Sequence, residues 1–240
     1  MLILKHLFLF HLSNSFGLKT PRTLKTPTTK QKKYTQLLED RNINLVVAHG
    51  PAGTGKSWLA CKVAIEELKS NHIKKIVLTR PVVPVEDENL GFLPGTIDEK
   101  MNPWIQPLYD IFIDEKSKSE LNSLLKSGQI EIVPIGFMRG RTFADTFVIA
   151  DEMQNSSPTQ MKMILTRMGE NSKIVVNGDI SQCDLKIEEN GLKNFISIVN
   201  KHYENLYEMY NNKIGMIEFD IKDVKRSEFV KNILEIYEKK

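Results

Sequence analysis

The sequence predicts an α/β fold, a mostly parallel sheet with helices on both faces, in a chain of 240 residues. Three observations carry that expectation. Short apolar runs alternate with helical stretches of roughly 10–15 residues, the rhythm of crossover connections between parallel strands. The runs are apolar at consecutive positions, as strands covered on both faces require. The first of them leads straight into a glycine-rich turn and then a helix, a strand–turn–helix unit of the kind that holds phosphate.

In chain order, a polar, proline-bearing leader runs to about Thr29, and a short helical stretch covers Gln31 to Asp40. The first strand is Asn44–His49, followed by the glycine-rich turn and a helix from Lys56 to Lys69. Ile73–Thr79 is a second buried strand, closed by Pro81. Residues 81–108 hold five prolines and two glycines, which predicts a long loop and not a regular element. A helix over Tyr109–Lys126 leads into strand Ile130–Ile135, and strand Thr146–Ala150 follows a basic turn. A helix from Pro158, with proline early as helix starts prefer, continues to about Met168. Strand Lys173–Asn177, helix Leu192–Asn205, strand Lys213–Asp220 and a last helix from about Arg226 complete the chain, without internal repeats.

Composition narrows the function classes. Apolar residues make up 41%, too many for a disordered chain and too few for a membrane-filling one. The net charge of +3 is unevenly placed: residues 1–38 carry seven Lys or Arg and no acid, leaving 26 basic against 30 acidic residues beyond. An acidic body behind a basic leader gives no whole-chain case for nucleic acid, so any such site is a local patch. Cys61 and Cys183 form no metal-binding or CxxC pattern, and a reducing compartment is expected. The opening MLILKHLFLFHLSNSFGL is too short and too interrupted to span a membrane. With the acid-free stretch to Thr29 it reads either as a disordered start or as an organelle transit peptide. The expected division is therefore a leader over 1–29 and one domain over 30–240, located in the cytoplasm, or in an organelle if the leader is a transit peptide.

The chemistry begins at Gly50-Pro51-Ala52-Gly53-Thr54-Gly55-Lys56-Ser57, which fits GxxxxGK[ST] at every required position between a strand and a helix. Such glycines let backbone N–H groups turn inward around phosphates, where the helix N-terminus also favours anions. The expected nucleotide is ATP, with Lys56 on the β and γ phosphates and Ser57 on magnesium. A second acidic group is needed beside the loop, and TFVIADE at 146–152 supplies it. Asp151 falls where a strand emerges at its C-terminal edge, the edge at which open α/β sheets bind ligands. Asp151 suits magnesium and Glu152 suits the attacking water, a pairing that favours water over a metabolite as acceptor.

Other residues offer more than one duty each. KIVVNGD at 173–179, with Ser181 and Gln182 following, offers Asn177, Asp179 and Gln182 as sensors of phosphate or water. Thr79 and Arg80 end the second strand, where Arg80 suits a phosphate, a nucleic acid or plain solvent. Arg139 and Arg141, in MRGRT before the magnesium strand, suit a nucleic-acid backbone or a neighbouring subunit's nucleotide. Lys225 and Arg226 connect the last strand to the last helix. Arg226 is the stronger candidate phosphate contact, because a guanidinium bridges two oxygens.

Four segments then carry a family resemblance: GPAGTGKS at 50–57, LTRPVVPVEDENLGFLPGTIDEKMNPWIQPLYD at 78–110, MRGRTFADTFVIADEMQNSSPTQMKMILTRMGENSKIVVNGDISQCD at 138–184, and DIKDVKRSEFV at 220–230. Residues of about 30 to 238 resemble the PhoH-like ATPases, whose nucleotide-binding domain is similar to the core of superfamily 1 helicases. The resemblance implies a RecA/helicase-like P-loop NTPase with an additional strand, binding ATP and Mg2+. It also implies nucleic-acid approach at Thr79-Arg80 and coupling to the γ phosphate through Gly178-Asp179 and Gln182. It assigns a phosphate contact to Arg226 and adenine recognition to the region of Gln31 and Tyr34. Neither the RNA-cleaving PIN domain nor the KH-type module of some relatives is expected here. Nor is the second helicase domain expected, so an arginine donor would come from a neighbouring subunit in a homo-oligomer, a hexameric ring being one form. The leading expectation is a Mg-dependent ATPase acting on single-stranded RNA, with no stable membrane insertion. The rivals are a nucleotide-switched ring scaffold for protein partners and a small-molecule kinase lidded by the loop at 81–108.

Overall fold

The computed structural model describes residues 27–81, 118–183 and 190–225, together with the helical positions Phe229, Ile233 and Ile236. The loop expected at 81–108, the start of the helix expected at 109, most of the leader and Arg226 lie outside the described residues.

Six strands form one sheet: β1 Leu45–His49, β2 Lys75–Thr79, β3 Ile130–Ile132, β4 Thr146–Ala150, β5 Lys173–Gly178 and β6 Ile214–Glu218. All five pairings are parallel, in the order β3-β2-β4-β5-β1-β6. The helices are α1 Thr29–Glu39, α2 Lys56–Lys69, α3 Lys118–Lys126, α4 Pro158–Leu165, α5 Gly191–His202 and α6 Leu206–Asn211. Strand side chains alternate between two cores, as the pleat requires. Val46, Ile76, Phe147 and Val175 meet Tyr34 and Leu38 of α1, Leu59 and Val63 of α2, and Leu121 of α3. Their neighbours Val47, Val77, Val148 and Ile174 face the other way, onto Met161 and Ile164 of α4 and Leu192 of α5. The expected parallel sheet with helices on both faces is therefore the fold observed. Burial on both faces, at about 1.5–3 kcal/mol per large apolar side chain, explains why these runs need no polar alternation.

Two features of this frame position the site. First, β5 lies between β1 and β4, so the strand feeding the glycine-rich turn does not touch the strand bearing Asp151. Second, residues after β6 return beneath that turn. Phe219 N donates to His49 O at 2.8 Å, and Lys225 N donates to Gly53 O at 3.0 Å. The buried Asp223 side chain accepts from Thr28 Oγ1 at 2.6 Å, tying this segment to the start of α1.

Three elements differ from expectation for local reasons. β3 stops at Ile132, and Pro134, which has no N–H to give a ladder, precedes a 3-10 turn at Ile135–Met138. α4 stops at Leu165, after which the chain leaves to bridge Met168 to Phe143 and to donate Gly169 N to Phe143 O at 2.7 Å. The helix expected over 192–205 ends three residues early, and an unexpected short helix follows it. α5 ends at His202, and Asn205 starts α6 by accepting from Glu208 N at 3.0 Å.

Lys173 opens β5 almost fully buried, and its ammonium donates to the carbonyls of Leu37, Leu38 and Asp40 at the end of α1. Those are carbonyls a helix leaves unpaired, and the helix dipole favours a cation there. Burial pushes the Lys173 pKa from 10.5 down to about 8. Between these values the unfolded chain holds a proton that the folded chain has released, so stability rises with pH across that window, by at most roughly 3 kcal/mol. Urea titrations from pH 7.5 to 10.5 check this: the rise is expected in the wild type and absent in Lys173→Met.

Candidate nucleotide-binding site

The glycine-rich turn caps the C-terminal end of β1. Gly50 has a φ of +128°, and a Cβ there would lie 2.4 Å from the carbonyl oxygen of Phe219, so only glycine fits. Its N–H donates to Gly178 O at 3.1 Å, which ties the turn to the end of β5. Gly50→Ala is expected to cost at least 1–3 kcal/mol of stability, about the range for overpacking, and to weaken nucleotide affinity. Thermal unfolding and fluorescent-nucleotide titration read the two effects separately.

Gly53 and Gly55 lie in left-handed backbone, and Gly55 is the N-cap of α2. Thr54 is fully buried and donates its hydroxyl to Pro51 O at 3.0 Å. Lys56 arches back over the turn, donating Nζ to Gly50 O at 2.6 Å and Pro51 O at 2.9 Å. Burial lowers its pKa, opposed by the charges of Asp179, Asp151 and Glu152. Ser57 donates its hydroxyl to both carboxylate oxygens of Asp151, at 2.8 and 2.9 Å. The Asp151 pKa is raised by burial and by neighbouring Glu152, while Ser57, Arg80 and Lys56 act against the rise. A desolvated carboxylate beside a second acid and a hydroxyl is a set of hard oxygens that a small divalent cation neutralises. It fits Mg2+, which binds through one or two protein oxygens together with phosphates.

Asp151 and Glu152 follow β4, and Asp151 N donates to Thr79 O at 2.9 Å. Glu152 sits in left-handed backbone at φ 53°, an uncommon place for a side-chain-bearing residue and one found at functional sites. Its carboxylate accepts from Gln154 Nε2 at 2.7 Å. Asp179 follows β5 and accepts from Ala52 N at 3.2 Å, so it touches the phosphate turn directly.

The remaining candidates divide. Thr79 is buried at the end of β2, and Arg80 is half-buried with its charge lowering the Asp151 pKa. Gln182 is exposed, with its carbonyl held by Gln154 at 3.1 Å. Asn177, a candidate sensor, is instead fully buried and accepts from Tyr34 OH at 2.9 Å. That bond and an edge-on contact with Phe219 hold Tyr34 in the core. Gln31 is also fully buried. Its amide donates to Thr54 O at 2.9 Å and accepts from Thr28 N at 2.9 Å, joining α1 to the turn. Arg139 is exposed, whereas Arg141 grips Glu131 in two bonds of 2.7 Å. Lys225 meets the turn through its backbone, with its side chain exposed. Cys61 is a buried free thiol, and the Cys183 thiol donates to Gln154 O at 3.2 Å. Two contributors escaped the sequence reading. Asp223 gave no visible sign, whereas Gln154, a buried amide three residues beyond Asp151, had one.

Fold and site together define a P-loop ATP-binding protein of the additional-strand, RecA-like class. Comparison with known proteins narrows the class: the family described as PhoH-like protein matches residues 23–238. The chain belongs to the PhoH-like family. It is 43% identical over 218 residues to a PhoH-like protein of Bacillus subtilis, covering 91% of this chain and 65% of the relative. It is 39% identical over 209 residues to Protein PhoH of Escherichia coli, covering 86% and 56%. The chain thus spans about six-tenths of the length of such relatives. Among solved structures, a Sulfolobus solfataricus SWI2/SNF2 ATPase core in complex with dsDNA is similar at a TM-score of 0.45 and 14% identity, covering 85% of this chain and 47% of that one. The likeness is distant, and no substrate follows from it. Among the described residues, no helix is long and apolar enough to cross a membrane.

Proposed function

We propose that the chain is a Mg-dependent ATPase that couples hydrolysis to remodelling of, or movement along, single-stranded RNA. The observation that carries the hydrolytic part is Glu152, next to the Ser57–Asp151 pair at the C-terminal sheet edge. In this reading the N–H groups of residues 50–57 surround the phosphates. Lys56 exchanges its contacts with the Gly50 and Pro51 carbonyls for phosphate oxygens. Ser57 and Asp151 would hold magnesium, which would supply neutralisation of the phosphate charge. Glu152 orients the attacking water and takes its proton.

The RNA part draws support from Thr79 and Arg80, which end β2 at the same edge, and from the exposed Arg139. The family's late arginine, Arg226, and an arginine from a neighbouring copy in a homo-oligomeric ring would complete the charge around the γ phosphate. Exposed apolar side chains such as Phe137 and Tyr207, each 73% exposed, suit such an assembly or a protein partner.

Steady-state ATP hydrolysis by the chain, with and without single-stranded RNA, tests the proposal, with Lys56→Ala as the blank. Several-fold stimulation by RNA supports the full reading. Hydrolysis indifferent to RNA retains the ATPase and redirects the search to protein partners. Transfer of phosphate to a metabolite would replace both readings with a kinase.

A further inference from the structure

Gln154 is 1% exposed, and neither phosphate nor magnesium chemistry calls for it. Yet its side-chain amide is at the centre of the site's hydrogen bonding. Nε2 donates to Glu152 Oε2 at 2.7 Å and to the Gln182 carbonyl at 3.1 Å, while Oε1 accepts from Asp179 N at 3.1 Å. Asp179 then accepts from Ala52 N at 3.2 Å through Oδ2, and its Oδ1 accepts from the Ser181 backbone and hydroxyl at 3.0 and 2.6 Å. The connection from the phosphate turn to the carboxylate of Glu152 is therefore unbroken: Ala52, Asp179, Gln154, Glu152.

Local geometry is committed to this connection. The left-handed backbone at Glu152 and the 3-10 turn Met153–Asn155 send the chain back so that Gln154 points under β5. A Cβ on Gly178 would lie 2.7 Å from Gln154 Oε1 and 2.5 Å from Leu192 Cδ2, so the strand end is bare where the amide passes. A buried amide used only for packing would not need to bond Glu152 and two residues of the turn at 179–183 at once.

We propose that Gln154 is a positioning residue for Glu152, tying the general base to the turn at 179–183 so that phosphate loop, turn and base move together. The exposed Gln182 is the outer end of this connection, where a bound partner would be felt. The inference rests on the hydrolase reading for its effect on rate, but not for the linkage itself. Removing the amide leaves nucleotide affinity intact and misplaces the base. A misplacement of about 1 Å is worth roughly 100-fold in rate.

Two measurements test this. In the first, Gln154→Met lowers kcat by about 100-fold with KM changed less than about threefold, and costs nothing further in a Glu152→Gln background. Gln154→Glu, which keeps the shape but sets a carboxylate against Glu152, does not rescue. Independent, additive losses in the double variant, or wild-type kcat in Gln154→Met, would overturn the proposal. In the second, hydrogen exchange is followed with ADP and a non-hydrolysable ATP analogue. Wild-type protein is expected to gain protection at both the phosphate loop and residues 152–155, and Gln154→Met only at the loop. A wild-type chain that shows this linked protection without turnover sinks the hydrolase reading and keeps the linkage. Protection confined to the loop in wild type sinks the linkage.

Discussion

Replacing Lys56 by alanine is expected to reduce ATP turnover by at least about 100- to 1000-fold, to the level of a buffer blank, while leaving the fold in place. Lys56 is almost fully buried, and its ammonium sits on the inward carbonyls of Gly50 and Pro51. An ammonium so poorly hydrated gives up little water on meeting phosphate oxygens, which is why one side chain has so large an effect. The stability cost is modest for a related reason. Pro51 O keeps the Thr54 hydroxyl as donor, and the ties from Gly50 N to Gly178 and from Lys225 to Gly53 do not involve the lysine. Coupled-enzyme assays beside thermal unfolding separate the effects. A variant that turned over ATP at more than a tenth of the wild-type rate would remove Lys56 from the chemistry.

Glu152→Gln is expected to separate binding from cleavage: ATP affinity unchanged or tighter, and kcat lower by about 100- to 10,000-fold, the range for loss of a general base. The substitution is nearly isosteric and keeps an oxygen for Gln154 Nε2, so the left-handed backbone at this position has no new reason to move. It removes only the capacity to accept a proton. Single-turnover hydrolysis beside equilibrium binding of labelled ATP checks both halves. Wild-type turnover would mean that the proton leaves by another route.

Most of the frame could be read from the sequence because parallel strands announce themselves. Runs such as LVVAH and TFVIA are apolar on both faces, and the start and end of α2 followed from Lys56 and Lys69 without adjustment. The resemblance also implied an inserted strand, and β5 between β1 and β4 is that strand. Residues whose duties come from distant partners could not be read this way. Arg141 looked like a free basic contact in sequence, but in space Glu131 on β3 holds both its terminal nitrogens. Asn177 pointed at a phosphate in sequence and at Tyr34 in space, because one step along a strand reverses the face. The short helix α6, not expected from the sequence, was legible in Asn205-Leu-Tyr-Glu208, a capping pattern just past the end of the expected helix.

The sheet order also sets a timetable for the chain's birth. β1 is flanked by β5 and β6, with Leu45 level with Ile174 on one side and Ile214 on the other. A ribosome releasing about 5–20 residues per second makes the phosphate loop early and needs roughly 10–30 s more to reach the strands that hold it. Throughout that interval β1, with four apolar residues in five, has no neighbour to pair with. Nascent chains of this protein would thus depend on chaperone cover until β6 has been made, and nucleotide capture would arrive late and abruptly.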